Sequence, residues 1–127
     1  MKNEIYTPLQ IREIFHLEFL RWFSRKISAD QYVLKGGVNL RFFFKSIRYS
    51  EDMDLDIVSQ VRAATLEKAV DSVIDGRAML ATLMPFGVTA IKATKPKQTD
   101  TTQRWKVMLQ TSASEELRTK VEFSRRR

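Results

Sequence analysis

The sequence predicts an α/β (α+β) domain, a mixed β-sheet with helices packed against it. Three patterns lead there. Apolar residues recur at helical spacing over Ile11–Phe23 and again over Leu66–Ile74. Side chains alternate between apolar and charged over Met53–Ile57 and Leu117–Ser124, the period of a half-buried strand. Glycine and proline punctuate the joins between these stretches.

Taken in order, Thr7-Pro8 reads as an N-cap followed by proline at the first helical position. The helix is expected to run to about Ile27, with Ile11, Phe15, Phe19, Trp22 and Phe23 on one face and Ile14, Leu17 and Leu20 widening it. Gln31–Lys35 is a short strand. Gly37 to about Lys45 reads as a helix, and Met53–Ile57 as a strand. A further helix is expected from about Ala64 to Leu83, ended by the turn Pro85-Phe86-Gly87. Strands follow near Val88–Ala93, Arg104–Gln110 and Leu117–Ser124. Between the first two of these, Thr94–Thr101 is polar, contains proline and reads as a hairpin loop.

At 127 residues the chain has room for one small domain, residues 1–127. Apolar residues make up 43% of it, enough for a real core and too many for a disordered chain. There is no cysteine, which excludes disulfides, zinc–thiolate sites and thiol nucleophiles. No stretch is long and apolar enough to span a membrane, and Met1–Glu4 lacks the apolar run of a signal peptide, so the chain reads as cytoplasmic. The net charge of +7 favours polyanionic partners, RNA foremost.

The chemistry concentrates in two stretches. Lys35-Gly36-Gly37 sits between a strand and a helix. Without Cβ atoms the glycines let backbone approach a ligand closely, and the amides at the start of the next helix attract anions. Lys35 and Arg48 add positive charge at the two ends of that segment. Asp52, Asp54 and Asp56 then project from one face of a strand, neighbours being about 7 Å apart. Carboxylates so placed can share divalent ions that bridge phosphate oxygens. An isolated Asp-x-Asp is more often a solvated strand edge, and a lone glycine pair a plain turn; the two together carry the argument. Glu122, with Lys120 on the same face, would supply a third acid if the last strand lay beside the aspartate strand. Otherwise the two form a surface charge pair of little energetic consequence.

The stretch Leu34-Lys35-Gly36-Gly37-Val38-Asn39-Leu40, followed by Arg48-Tyr49-Ser50-Glu51-Asp52-Met53-Asp54-Leu55, resembles the signature of the AbiEii/AbiGii-type nucleotidyltransferase toxins, whose core is similar to the DNA-polymerase-β-like nucleotidyltransferases. Lys120-Val121-Glu122-Phe123 is similar to the family's downstream Lys-x-acid strand. The resemblance covers roughly residues 9–125 and implies a nucleotidyltransferase-like core. It implies that Gly36 and Gly37 hold an NTP triphosphate, that Asp52 and Asp54 ligate Mg²⁺ or Mn²⁺, and that Arg48 and Ser50 order the strand entrance and meet phosphate; by their positions Glu122 would complete the metal site and Lys35 and Lys120 would offset nucleotide charge. Asp56 lies outside the family's aspartate pair. The implied activity is Mg²⁺-dependent transfer of a nucleotide from an NTP to an acceptor, tRNA in some relatives, within a toxin–antitoxin or phage-defence system with an antitoxin as protein partner. The family usually continues into a helical C-terminal region, which this reading places outside the chain. The alternative is a truncated, non-catalytic remnant that binds nucleotide, RNA or an antitoxin.

Other features point to packing. His16, the single histidine, has no second ligand type nearby in the pattern. Trp22 and Phe42–Phe44 read as core, and Trp105 as a buried residue with solvated neighbours. Lys92, Lys95, Lys97, Arg104 and Lys106 form a basic hairpin that could meet RNA.

Overall fold

The computed structural model describes residues 6–35 and 52–126. Thr7 and Pro8 open helix α1 (Pro8–Phe23). The Thr7 hydroxyl accepts from the Gln10 backbone N–H at 3.1 Å, and Gln10 Oε1 accepts from the Thr7 N–H at 2.9 Å. This reciprocal capping box satisfies two donors that the first turn leaves without partners. Ile11, Phe15, Phe19 and Phe23, each four residues on, make the buried stripe. The helix ends four residues short of the expected Ile27. There the Lys26 N–H reaches back only three residues to the Phe23 carbonyl, and the Ser24 hydroxyl donates to the Arg21 carbonyl, which tightens the last turn and stops the ladder. Leu17 is exposed, in contrast to its expected place on the apolar face; two residues past Phe15, it lies roughly 200° around the helix.

After a 3₁₀ turn at Ala29–Gln31 comes strand β1 (Tyr32–Lys35), and then β2 (Met53–Val58). The helix expected over Gly37–Lys45 lies outside the described residues. Two helices, α2 (Ala63–Ile74) and α3 (Arg77–Leu83), stand where one was expected. Gly76 separates them with an extended backbone, φ −72° and ψ 146°. A Cβ there would lie 2.9 Å from the Ser72 carbonyl oxygen, so the sharp entry to α3 needs glycine. Apolar spacing continues across the break, which hides it in the sequence. Gly87, at φ 96°, then turns the chain into β3 (Val88–Gln98).

β3 runs on to Gln98, through residues expected to be loop. Pro96 is tolerated because β3 is an outer strand and the register shifts between Thr94 and Lys97. The turn to β4 (Thr102–Thr111) is only three residues, closed by the Thr99 hydroxyl accepting from the Thr102 N–H at 3.0 Å. β5 (Glu116–Arg126) completes the sheet.

The strand order is β1-β2-β5-β4-β3. β3, β4 and β5 form an antiparallel meander, β1 is antiparallel to β2, and β5 lies parallel to β2. The inner face carries Met53, Leu55, Ile57, Trp105, Val107, Leu109, Val121 and Phe123, all buried with the α1 stripe and with Leu66, Val70 and Val73 of α2. Phe23 and Phe123 meet at 5.3 Å between ring centres, and Trp105 packs edge-on to Phe123 at 5.9 Å. Each such ring contributes about 1.5–3 kcal/mol through burial.

Trp105, His16 and Arg12 find polar partners on this inner side, while the buried Trp22 Nε1 has none among the described residues. Trp105 Nε1 donates to Asp71 Oδ1 at 2.9 Å, fixing β4 to α2. His16 Nε2 and Thr119 Oγ1 are hydrogen-bonded at 2.8 Å, and Arg12 Nε donates to the Arg118 carbonyl at 2.7 Å, so α1 holds β5 at two adjacent residues. Burial, reinforced by the Arg12 charge, lowers the His16 pKa to about 4, so the ring is neutral near pH 7.

Candidate active site

The sheet face opposite α1 is charged, and its residues can be read in rows, because partners in register share a face. One row runs Lys97 (β3), Arg104 (β4), Glu122 (β5), Asp54 (β2) and Lys35 (β1). The next, one step along, runs Thr94, Lys106 and Lys120, with Asp52 beside Lys120. Beyond that come Lys92, Met108 and Arg118. On the far side of the first row, Ser124, Asp56 and Val33 lie side by side.

The parallel placement of β5 against β2 creates this arrangement. It sets Glu122 in register with Asp54 on the neighbouring strand, although 68 positions of sequence numbering separate them. Asp52, Asp54, Lys35, Lys120 and Glu122 thus share one face. Gly36, Gly37, Arg48 and Ser50 lie outside the described residues.

Cations hold three of the acids. Arg104 Nε donates to Glu122 Oε1 at 2.6 Å. Lys35 Nζ is 3.2 Å from Asp56 Oδ1, and Lys120 Nζ is 3.9 Å from Asp52 Oδ2. Asp54 is the exposed member of the alternating strand, between Glu122 and Lys35 in its row. Among the described residues, no three His, Cys, Asp or Glu side chains converge closely enough to hold a metal ion. The donor chemistry still fits a hard divalent cation. Carboxylate oxygens are the ligands Mg²⁺ and Mn²⁺ select, and no imidazole or thiolate competes among the acids on this face. A cation would have to draw Glu122 from Arg104 and Asp52 from Lys120, and half-exposed ion pairs yield at small cost.

Sequence reasoning missed the roles of two arginines and misplaced one lysine. Arg104 reads in the sequence as one of a basic hairpin, whereas it is the direct partner of the third acid. Arg118 joins Lys92, Lys106 and Lys120 on the open face. The expected basic hairpin itself divides: Lys95 faces the helices, where Glu67 at 2.6 Å and Asp71 at 2.9 Å hold its ammonium and raise its pKa above the usual lysine range. Strand parity places Arg118, which alternates with the buried Leu117 and Thr119, on this face, but says nothing of the lysines it meets there. Nothing local in the sequence pairs Arg104 with Glu122.

Residues 18–127 match the family described as nucleotidyl transferase AbiEii toxin, type IV TA system. Among solved structures, JHP933 from Helicobacter pylori is 25% identical, with a TM-score of 0.57 over 97% of this chain and 46% of that one. MenT4, a nucleotidyltransferase toxin from Mycobacterium tuberculosis H37Rv, is 19% identical, with a TM-score of 0.63 over 94% of this chain and 38% of that one, a likeness of fold alone. The chain spans less than half the length of these two structures. No curated protein sequence matches it.

Proposed function

The chain belongs to the AbiEii nucleotidyltransferase toxin family, and on that premise we propose that it binds an NTP and transfers the nucleotide to an acceptor hydroxyl, with tRNA as the acceptor class. The observation that carries this reading is the register of β5 against β2, which brings Glu122 beside Asp54 on an open, charged face. Asp52, Asp54 and Glu122 would hold Mg²⁺ or Mn²⁺, which when bound supplies charge neutralisation at the phosphates and a more acidic acceptor hydroxyl. Lys120 and Lys35 lie next to the acids and offset triphosphate charge. The amides of Gly36 and Gly37, with Arg48 and Ser50, are assigned to the triphosphate by the family motif.

In the reaction, the acceptor oxygen forms a bond to the α-phosphorus and the bond to the bridging β-phosphate oxygen breaks. Pyrophosphate leaves, and the hydroxyl proton passes to a carboxylate of the cluster. Orientation and fixed charge do the work, with no covalent enzyme intermediate. The family reading also implies a cognate antitoxin as protein partner, and the proposed place of action is the cytoplasm. Among the described residues, no helix is long and apolar enough to cross a membrane.

Label transfer tests the proposal. The purified chain is incubated with Mg²⁺, each α-labelled NTP in turn and total tRNA, beside an Asp52→Ala/Asp54→Ala control. Label on RNA that disappears in the control is the expected result; label on protein would replace tRNA by a protein acceptor. A second reading, a non-catalytic binder of nucleotide, RNA or antitoxin, draws support from the ion-paired state of Asp52 and Glu122. NTP binding by a folded chain without any transfer would establish it in place of the first.

A further inference from the structure

The open face carries more positive charge than a triphosphate at the β2 acids can use. Lys92, Lys106, Arg118 and Lys120 surround a cavity of about 480 Å³, with Thr94 and Met108 in its lining and Asp52 at its rim. Lys120 leans on Asp52, and Arg118 reaches Glu116 only at 3.8 Å, both side chains being exposed. Among the described residues, Lys92 and Lys106 have no acidic partner. Cations one strand apart repel each other, so a surface that gathers them without acids takes its counter-charge from outside.

Position narrows the source of that charge. By strand spacing, Lys106 on β4 lies about 10 Å from β2, and Lys92 on β3 about 14 Å. The β- and γ-phosphates of an NTP whose α-phosphate sits at Asp52 and Asp54 do not reach that far across the sheet. The remaining reactant is the acceptor. It must bring a hydroxyl to the acids and place negative charge behind it, over β4 and β3. That is the chemistry of a nucleic-acid 3′ end. The lining runs from β3 across to Asp52 beside β2, three strand spacings or about 14 Å, and Met108 gives a ribose or base an apolar floor.

We propose that this cavity is the acceptor channel. It holds the single-stranded 3′ end of an RNA, with the terminal hydroxyl toward Asp52 and the preceding phosphates on Lys106 and Lys92. The proposal rests on the nucleotidyl-transfer reading and adds the residues and the direction of approach. Lys95, though adjacent in sequence, takes no part, because Glu67 and Asp71 hold it on the other face.

The test is binding of a 5′-labelled single-stranded RNA oligonucleotide to the full chain and to Lys92→Glu/Lys106→Glu, by fluorescence anisotropy across a salt series. Binding of NTP with Mg²⁺ is measured on both by calorimetry. The double variant should bind RNA about tenfold or more weakly, with a log K against log[salt] slope shallower by roughly 1.4, about 0.7 for each phosphate no longer neutralised. NTP binding should be unchanged. Lys92→Gln/Lys106→Gln gives the same direction with a smaller effect and stands in if charge reversal harms folding. An unchanged RNA affinity and salt slope would overturn the channel, as would displacement of the RNA by polyglutamate as readily as by unlabelled RNA. A chain that binds NTP and labels a protein, yet binds no RNA, would overturn the channel and leave nucleotidyl transfer standing. A chain that binds neither NTP nor RNA would remove both.

Discussion

On the helix side of β4, Trp105 is fully buried and gives its one polar proton to Asp71. One residue earlier, on the open side, Arg104 holds Glu122 in a bond that water can reach. The same contrast repeats along β5, where Thr119 is buried against His16 while Lys120 stands beside Asp52. Trp105 and His16 on the inner face are each matched to a fixed partner, so removing one strands the other. Polar groups on the outer face are paired loosely, and each pair contributes about 0–1 kcal/mol. The inner face is therefore built to stay as it is, and the outer face to exchange partners with a ligand.

The two faces separate most widely when one residue is changed on each. Asp54→Asn keeps shape and removes charge at the exposed centre of the acid row. Transfer activity should fall roughly 10⁴-fold, about 5 kcal/mol of lost transition-state stabilisation, with an unchanged far-ultraviolet spectrum and melting temperature. Retained turnover in the label-transfer assay would remove Asp54 from the cation site. Phe19→Ala on the inner side should do the reverse. It empties a fully buried ring position and should cost about 3–5 kcal/mol of stability, read as a lower urea midpoint. If Phe19→Ala cost under about 1 kcal/mol, the packing of α1 on the sheet would be wrong.

Acid should loosen the inner face at His16. The folded-state pKa of His16 is depressed to about 4 from 6.5, so as pH falls the unfolded chain takes up the proton first. Its contribution is fully present above about pH 6.5 and is lost as pH drops toward 4. The loss is on the order of 1 kcal/mol at pH 5.5 and 2–3 kcal/mol at pH 4.5. Urea unfolding at these pH values, compared with His16→Gln, isolates the effect, since the variant should lack that part of the acid slope. Identical slopes in the two proteins would mean that His16 is not held neutral by burial.

Much of this division was legible in the sequence. Strict alternation over Met53–Ile57 and Leu117–Ser124 assigned Asp54, Lys120 and Glu122 to the face away from the core, and Thr7-Pro8 marked the start of α1. Alternation fixes which face a side chain takes and says nothing about which strand lies beside it. The parallel docking of β5 on β2, the act that joins Asp54 to Glu122, is set by packing across the whole sheet. The α2–α3 break was hidden because apolar spacing runs through Gly76. The length of β3 was hidden because Pro96 reads as loop unless the strand is known to be an outer one. Lys95 was grouped with Lys92 by sequence, and the sheet sent the two to opposite faces. The glycine-pair motif at Gly36 and Gly37 was readable as pattern alone.

The smallest expected effect tests the outer face at its tightest pair. The Arg104–Glu122 contact, at 2.6 Å and partly shielded from water, is the strongest of the ion pairs on the acids. A divalent cation at Glu122 must compete with the guanidinium. Removing that competitor with Arg104→Gln should therefore strengthen cation binding, by about threefold to fivefold for a pair contributing on the order of 1 kcal/mol. Folding stability should change by less than about 1 kcal/mol. Mn²⁺ titration followed by electron paramagnetic resonance reads the affinity without any turnover. Glu122→Gln should move it the other way, because the donor itself is lost. If Arg104→Gln leaves Mn²⁺ affinity unchanged while Glu122→Gln weakens it, the guanidinium does not guard the cation site. If neither variant moves it, Glu122 is no ligand, and its bond to Arg104 belongs with the fixed pairs of the inner face.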